Sequence, residues 1–296
     1  MTTVAAHLAG DRPRQMLGAV LSLGLVLTAC TEAGGTSGIT TEFERTEFDA
    51  ANFVDPTTST NPWHPLRPGM QWVRQGTTEV GRRVVPHQVV STMTDVVREI
   101  DGVRAVAMLD QNTDAGELVQ VSIDYFGLDE DGNVWLLGGY AEDYAGGEFT
   151  NTSDAWLGSA QRSEPGILMP DDPDSTTPPW FIGRDPDGNE TAAEVVETGR
   201  RECVEFACYD DVLIIREGEV GALDNEFKYY APEVGQILNS PRQYSRHKDD
   251  ESLVNLTDLS AAGLDELSNR VLSVEEHARE TSPDVFGSMP PSIRVP

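Results

Sequence analysis

The stretch Glu117-Leu118-Val119-Gln120-Val121-Ser122-Ile123-Asp124-Tyr125-Phe126 decides the fold class. Val119, Val121, Ile123 and Tyr125 alternate with Gln120, Ser122 and Asp124. A helix cannot gather alternate residues on one face, so the reading is a β-strand with one apolar and one wet face. Runs of the same character flank it: Val84 to Val97, Val103 to Leu109 after the Asp101-Gly102 turn, and Val134 to Tyr140 after Asp131-Gly132-Asn133. Aspartate and glycine are what tight hairpins need, so these runs form a meander.

Further strands are expected at Glu194 to Thr198, Arg201 to Val204, Asp211 to Arg216 and Glu226 to Tyr230. Arg162 to Asn189, rich in Pro and Asp, reads as one long surface loop. Phe48 to Pro68, dense in Pro, Thr and Asn, reads as irregular chain lying on the domain and docked by Trp63. Beyond Pro241, Leu264, Leu267, Val271 and Val274 fall at helical spacing, with Asp258 or Ser260 as cap. They predict a helix over Ser260 to Glu280, followed by an extended tail from Ser282 to Pro296. The expected fold is mainly β: a single antiparallel β domain over 48–240, either a sandwich or a strongly curved sheet, with a C-terminal α-helix and tail over 241–296.

The first residues have the grammar of an export signal. Arg12 and Arg14 precede an uncharged apolar run from Met16 to Ala29, too short to span a bilayer stably. The run ends Leu27-Thr28-Ala29-Cys30, which resembles the lipobox of bacterial lipoproteins. The expectation is a signal peptide over 1–29, cleavage before Cys30 and a lipid on that cysteine. Residues 30–47, Gly- and Thr-rich at their start, then act as a flexible tether that stands the domain off the outer face of the cell membrane.

Cys203 and Cys208 remain, in a compartment that permits disulfides, and a bridge between them is expected. Closing so short a loop stabilises by about 2 kcal/mol in the chain-entropy model. The chain carries 50 Asp and Glu against 21 Lys and Arg, and Lys228 and Lys248 supply all its lysine. Nucleic acid and anionic lipid surfaces are repelled by such a field, so neither is an expected partner.

Four phrases carry a family resemblance: Asn61-Pro62-Trp63-His64-Pro65-Leu66-Arg67-Pro68-Gly69-Met70-Gln71-Trp72; Asp131-Gly132-Asn133-Val134-Trp135; Cys208-Tyr209-Asp210-Asp211-Val212-Leu213; and Lys228-Tyr229-Tyr230-Ala231-Pro232-Glu233-Val234-Gly235. They resemble an uncharacterised family of actinobacterial cell-envelope proteins, over roughly Phe48 to Val285. The resemblance implies an envelope address and no reaction. At Glu233 that family often has glycine, which implies a differently shaped turn here. The last phrase also looks like the closing strand of curved-sheet lipoproteins that hold acyl chains.

Catalytic motifs are absent from the sequence. His7, His64, His87, His247 and His277 form no spaced metal pair, and His87 reads as a structural histidine. There is no nucleophile elbow, phosphate loop or dinucleotide fingerprint, so neither cofactor nor metal is expected. Asp129 to Asn133 and Asp185 to Asn189 space their oxygens as a calcium loop would. Their glycine falls one place early for an EF-hand, however, and tight hairpins are the reading taken. Trp180, in the Pro-rich loop, is the aromatic with the fewest structural reasons to be there. The function expected is a non-enzymatic, surface-tethered binding module for an apolar small molecule or an envelope protein. The alternatives are an interaction protein without a pocket, or a hydrolase with a noncontiguous carboxylate site.

Overall fold

The structure is a computed structural model that describes residues 39, 42–222, 225–241, 250–287 and 290–295. Its strands are β1 (Phe53–Val54), β2 (Met70–Val80), β3 (Arg83–Ile100), β4 (Val103–Asp114), β5 (Glu117–Asp129), β6 (Val134–Ala145), β7 (Glu148–Leu157), β8 (Glu164–Met169), β9 (Trp180–Arg184), β10 (Glu190–Cys203), β11 (Cys208–Glu219), β12 (Asn225–Ala231), β13 (Gly235–Ser240), β14 (Glu251–Asp258) and β15 (Ile293–Arg294). Helices α1 (Ala261–Thr281) and α2 (Pro283–Phe286) lie between β14 and β15.

Twelve of these strands close into an antiparallel ring in the order β5-β4-β3-β2-β14-β13-β12-β11-β10-β9-β8-β6, and β6 returns to β5. The other three strands extend single edges: β1 on β5, β7 on β6 and β15 on β3. The fold is therefore a closed barrel, which corrects the expected sandwich or curved sheet. The correction turns on the segment read as one surface loop. Between Arg162 and Asn189 lie β8 and β9, which bridge β6 to β10 and shut the ring. Pro165, Pro170, Pro173, Pro178 and Pro179 surround these short strands and obscure their period. Another ring member, β14, lies past residue 240 and joins β13 to β2.

Both faces of β5 are buried. Val121, Ile123 and Tyr125 point outward and are covered, the Tyr125 hydroxyl donating to Glu275 Oε1 of α1 at 2.6 Å. Gln120, Ser122 and Asp124, the face read as wet, point into the lumen. The helix forms because Val271, Val274, Glu275 and Ala278 recur at one face and Ser260 caps its first turn by accepting from Gly263 N–H. It lies across β3 and β4, and α2 adds Phe286, which packs on Tyr140 with ring centroids 5.2 Å apart. The tail is thus not simply extended: it carries α2 and then pairs Ile293 and Arg294 with β3.

Two more contacts join distant parts of the ring. The Cys203–Cys208 disulfide closes the β10–β11 hairpin, which folds back so that Phe206 N–H donates to Leu253 O. At β9, Glu44 pairs with Trp180 and Arg45 lies over the Phe181 ring at 3.9 Å. Glu44 and Arg45 belong to the stretch read as a tether.

Candidate functional site

The lower end of the barrel is closed by Asn61 to Leu66. Asn61 acts as the clasp: its carboxamide donates to Gly132 O and Pro170 O, both at 3.1 Å, and accepts from Trp63 and His64 N–H. Glu233 N–H donates to Pro62 O, and Trp72 Nε1 donates to Val234 O. Three of the four phrases that carry the family resemblance therefore meet at this floor. His64 turns its ring onto Phe126 at 4.7 Å, and burial, helped by the charges of Lys228 and Arg74, pushes its pKa down to about 3. The imidazole is neutral there. Just above it a cavity of about 20 Å³, room for one water, lies between His64, Trp72, Arg74, Ser91, Met108 and Gln236.

Above the floor the lumen is polar. Lys228 is completely buried and its Nζ stands 2.6 Å from Glu217 and 3.7 Å from Glu226. Burial alone would lower its pKa, but the two carboxylates outweigh that and raise it, so the amine stays charged. Burial also raises Glu226, offset in part by Lys228, although its side chain remains 39% exposed. Solvent therefore reaches the upper lumen.

His87 sits between Asp114 at 2.7 Å and Glu251 at 3.5 Å. Burial works to lower its pKa, and hydrogen bonds to the two acids reverse the sign and raise it. The structure thus places His87 in a satisfied ion pair, as a structural histidine. Arg74 donates from Nη2 to Ser91 Oγ at 2.9 Å. Asn112 donates to Gln120, which donates in turn to Asp143.

Across the ring from Lys228, alternation puts Asp110, Asp124 and Asp154 on the inner face of β4, β5 and β7. Burial first, then repulsion by Asp110 and Asp154, pushes Asp124 up to about 8. Burial, with repulsion from Asp185, takes Asp154 up to about 6. Lys228 still influences Asp124 from the opposite wall, as two groups facing one interior must.

Several buried polar atoms of the lumen have no hydrogen-bond partner: Arg74 Nε, Asn112 Oδ1, Gln236 Nε2, Asn239 Oδ1 and Glu251 Oε2. Trp180 is 5% exposed and its Nε1 is likewise unmatched. It opens β9 instead of standing on a loop, and register puts it on the face of Ala193 and Glu217.

The remaining sequence-predicted residues are placed as follows. Cys30 lies outside the described residues. Cys203 and Cys208 are bonded to each other at the end of the β10–β11 hairpin. The two Asp-Gly-Asn runs make the same turn: Asp129 Oδ1 accepts from Asp131 and Asn133 N–H, and Asp185 Oδ1 accepts from Gly188 and Asn189 N–H. Among the described residues, no group of three or more His, Cys, Asp or Glu is set to hold a metal ion.

Sequence reasoning missed Arg74, Lys228 and Asp124 as lumen groups. The available signal was Lys228 itself, a rare lysine inside an aromatic strand.

The fold and site together define a closed twelve-stranded barrel with a floor and an ionisable interior. No family model matches the chain, and no curated protein matches it either. Among solved structures, a candidate lipoprotein from Parabacteroides distasonis is similar at 12% identity. The match spans 67% of this chain and 99% of that one with a TM-score of 0.34, a likeness too slight to carry an argument.

Proposed function

We propose that the chain is a lipoprotein tethered through Cys30 to the outer face of the cell membrane, and that its barrel is a non-enzymatic binding module holding a ligand in the lumen. The observation that carries this reading is the set of unmatched buried polar atoms on Arg74, Asn112, Gln236, Asn239 and Glu251. Each such atom costs about 1–3 kcal/mol when left without a partner. They come from β2, β4, β13 and β14 and face one interior, so a single molecule with complementary groups could offset several at once. Ring size supports the same reading, because barrels wider than about eight strands enclose more space than side chains fill.

The wholly apolar cargo considered from the sequence fits this interior less well than a ligand with polar groups, since an apolar molecule would leave every one of these atoms unmatched. The tether rests on the lipobox-like Leu27-Thr28-Ala29-Cys30.

Two measurements test the reading. Protein purified from its native host should melt at a higher temperature than the same protein unfolded, extracted and refolded, and adding back the extract should restore the difference. Identical melting before and after extraction would count against a lumen ligand. For the tether, Cys30→Ala should move the exported protein from the detergent phase to the aqueous phase in a partition assay. Unchanged partitioning would contradict the lipid anchor.

A further inference from the structure

The cavity above the barrel floor is rich in nitrogen, and none of the residues around it is acidic. His64, Arg74 and Gln236 each bring to it a buried side-chain nitrogen without a hydrogen-bond partner: Nε2 of His64, Nε of Arg74 and Nε2 of Gln236. Arg74 is 3% exposed and Gln236 8%. The other polar side chains of the lining are already used, since Trp72 Nε1 donates to Val234 O and Ser91 Oγ accepts from Arg74 Nη2.

Three separate parts of the chain supply these nitrogens: the floor segment, β2 and β13. Gly235, at φ +86°, lets the turn before Gln236 come down onto the floor, where a Cβ would lie 3.3 Å from Pro65 Cδ. Farther up the lumen the unmatched atoms are acceptors instead: Asn112 Oδ1, Asn239 Oδ1 and Glu251 Oε2. Asn239 pairs with Glu251 in register, three residues beyond Gln236 on β13. The interior is therefore polarised, with donors and the Arg74 charge at the floor and acceptors above.

Resting on the lumen as the binding site, we propose that the floor cavity receives the carboxylate end of the ligand, an organic acid whose chain carries hydroxyl groups into the upper lumen. A carboxylate oxygen accepts from the guanidinium and the carboxamide together and offsets the Arg74 charge, and the neutral His64 ring can present its proton to the same oxygen. A water would match some of these donors but bring no charge. The cavity has room for one oxygen, so one oxygen of the carboxylate enters while the rest of the molecule stands in the lumen. There, hydroxyls would donate to the unmatched acceptors. Glu251, which feels the charge of Arg74, and Asp110, opposite Ser91 in register, both stand outside the cavity lining. A cationic end fits the floor less well, because it would meet donors and the Arg74 charge.

The test uses refolded, ligand-free full-length mature protein and sodium gluconate as the probe, with sorbitol, the same hydroxylated chain without the acid, as the control, both by titration calorimetry near pH 7. Gluconate should bind one per chain, at least about tenfold more tightly than sorbitol. The net charge of −29 repels anions in general, so a preference for the acid reports the cavity. Arg74→Gln, checked as folded by its melting curve, should weaken gluconate by about tenfold or more. Gln236→Glu, which sets a like charge on the cavity wall, serves as a second variant expected to act in the same direction.

Equal binding of sorbitol, or unchanged gluconate binding in both folded variants, overturns the proposal. So does a silent titration with both probes while the host extract still restores the melting temperature: the cavity then holds water only, and the lumen reading stands. If the extract also restores nothing, the lumen reading fails and this proposal fails with it.

Discussion

Glu233 adopts φ +63° in the turn between β12 and β13, a left-handed conformation that costs a residue with a Cβ roughly 1–2 kcal/mol. It is held there because its N–H donates to Pro62 O at the barrel floor. The turn takes a left-handed shape that a glycine adopts at lower cost. Glu233→Gly should raise stability by about 1 kcal/mol, read as a higher midpoint in denaturant with an unchanged slope. Asp124 gives a pH prediction. Its folded pKa of about 8 lies above that of an exposed aspartate, so between about pH 4 and pH 8 the unfolded chain has lost a proton that the ligand-free folded chain keeps. This group therefore makes stability fall as pH rises through that window, by up to about 1.4 kcal/mol per unit, and the loss levels off above pH 8. Asp124→Asn should remove this contribution and melt higher than the parent at pH 8, and an unchanged pH profile would contradict the assignment. The alternation that exposed this residue to view in the sequence was sound, but polarity alone cannot tell a solvent-facing surface from the inside of a wide barrel.

A buried polar joint centred on Glu275 fastens the C-terminal helix to the barrel. Glu275 accepts from Tyr125 and Ser292, and its Oε2 lies 3.4 Å from Arg98, whose guanidinium rests over the Phe286 ring at 5.0 Å. Glu275→Ala strands a buried Arg98 and should cost about 3 kcal/mol, whereas Glu275→Leu combined with Arg98→Met should recover most of that loss; chemical denaturation measures both. On the far wall, replacing Cys203 and Cys208 by serine should cost only about 2 kcal/mol, because the bond closes a short hairpin. These elements differed in how well the sequence showed them. Helix α1 was legible because its apolar spacing and Ser260 cap are local features. Strands β8 and β9 were not, because each is short, sits among prolines and owes its existence to partners far along the chain. In β10 the register shifts between Val195 and Glu202 broke one strand into apparent fragments.

At the scale of the molecule, closure turns one face of the sheet into an interior. Helices α1 and α2 pack on the outer wall, while the inner wall holds Arg74, His87, Lys228 and their acidic neighbours beside apolar residues such as Trp72 and Met108. Whether strands form a sandwich or a ring depends on one pairing, β6 with β8 as well as β5, and nothing in a strand's own pattern reports its second neighbour. The floor of Asn61 to Leu66 seals one end, so the charged lumen is a cup and its unmatched atoms are the reason to expect an occupant. Native mass spectrometry of the mature protein from its host membrane tests this most directly. The account predicts a lipidated chain bearing one additional small molecule that dissociates on collisional activation. A folded protein whose mass in every preparation is that of the lipidated chain alone would contradict it.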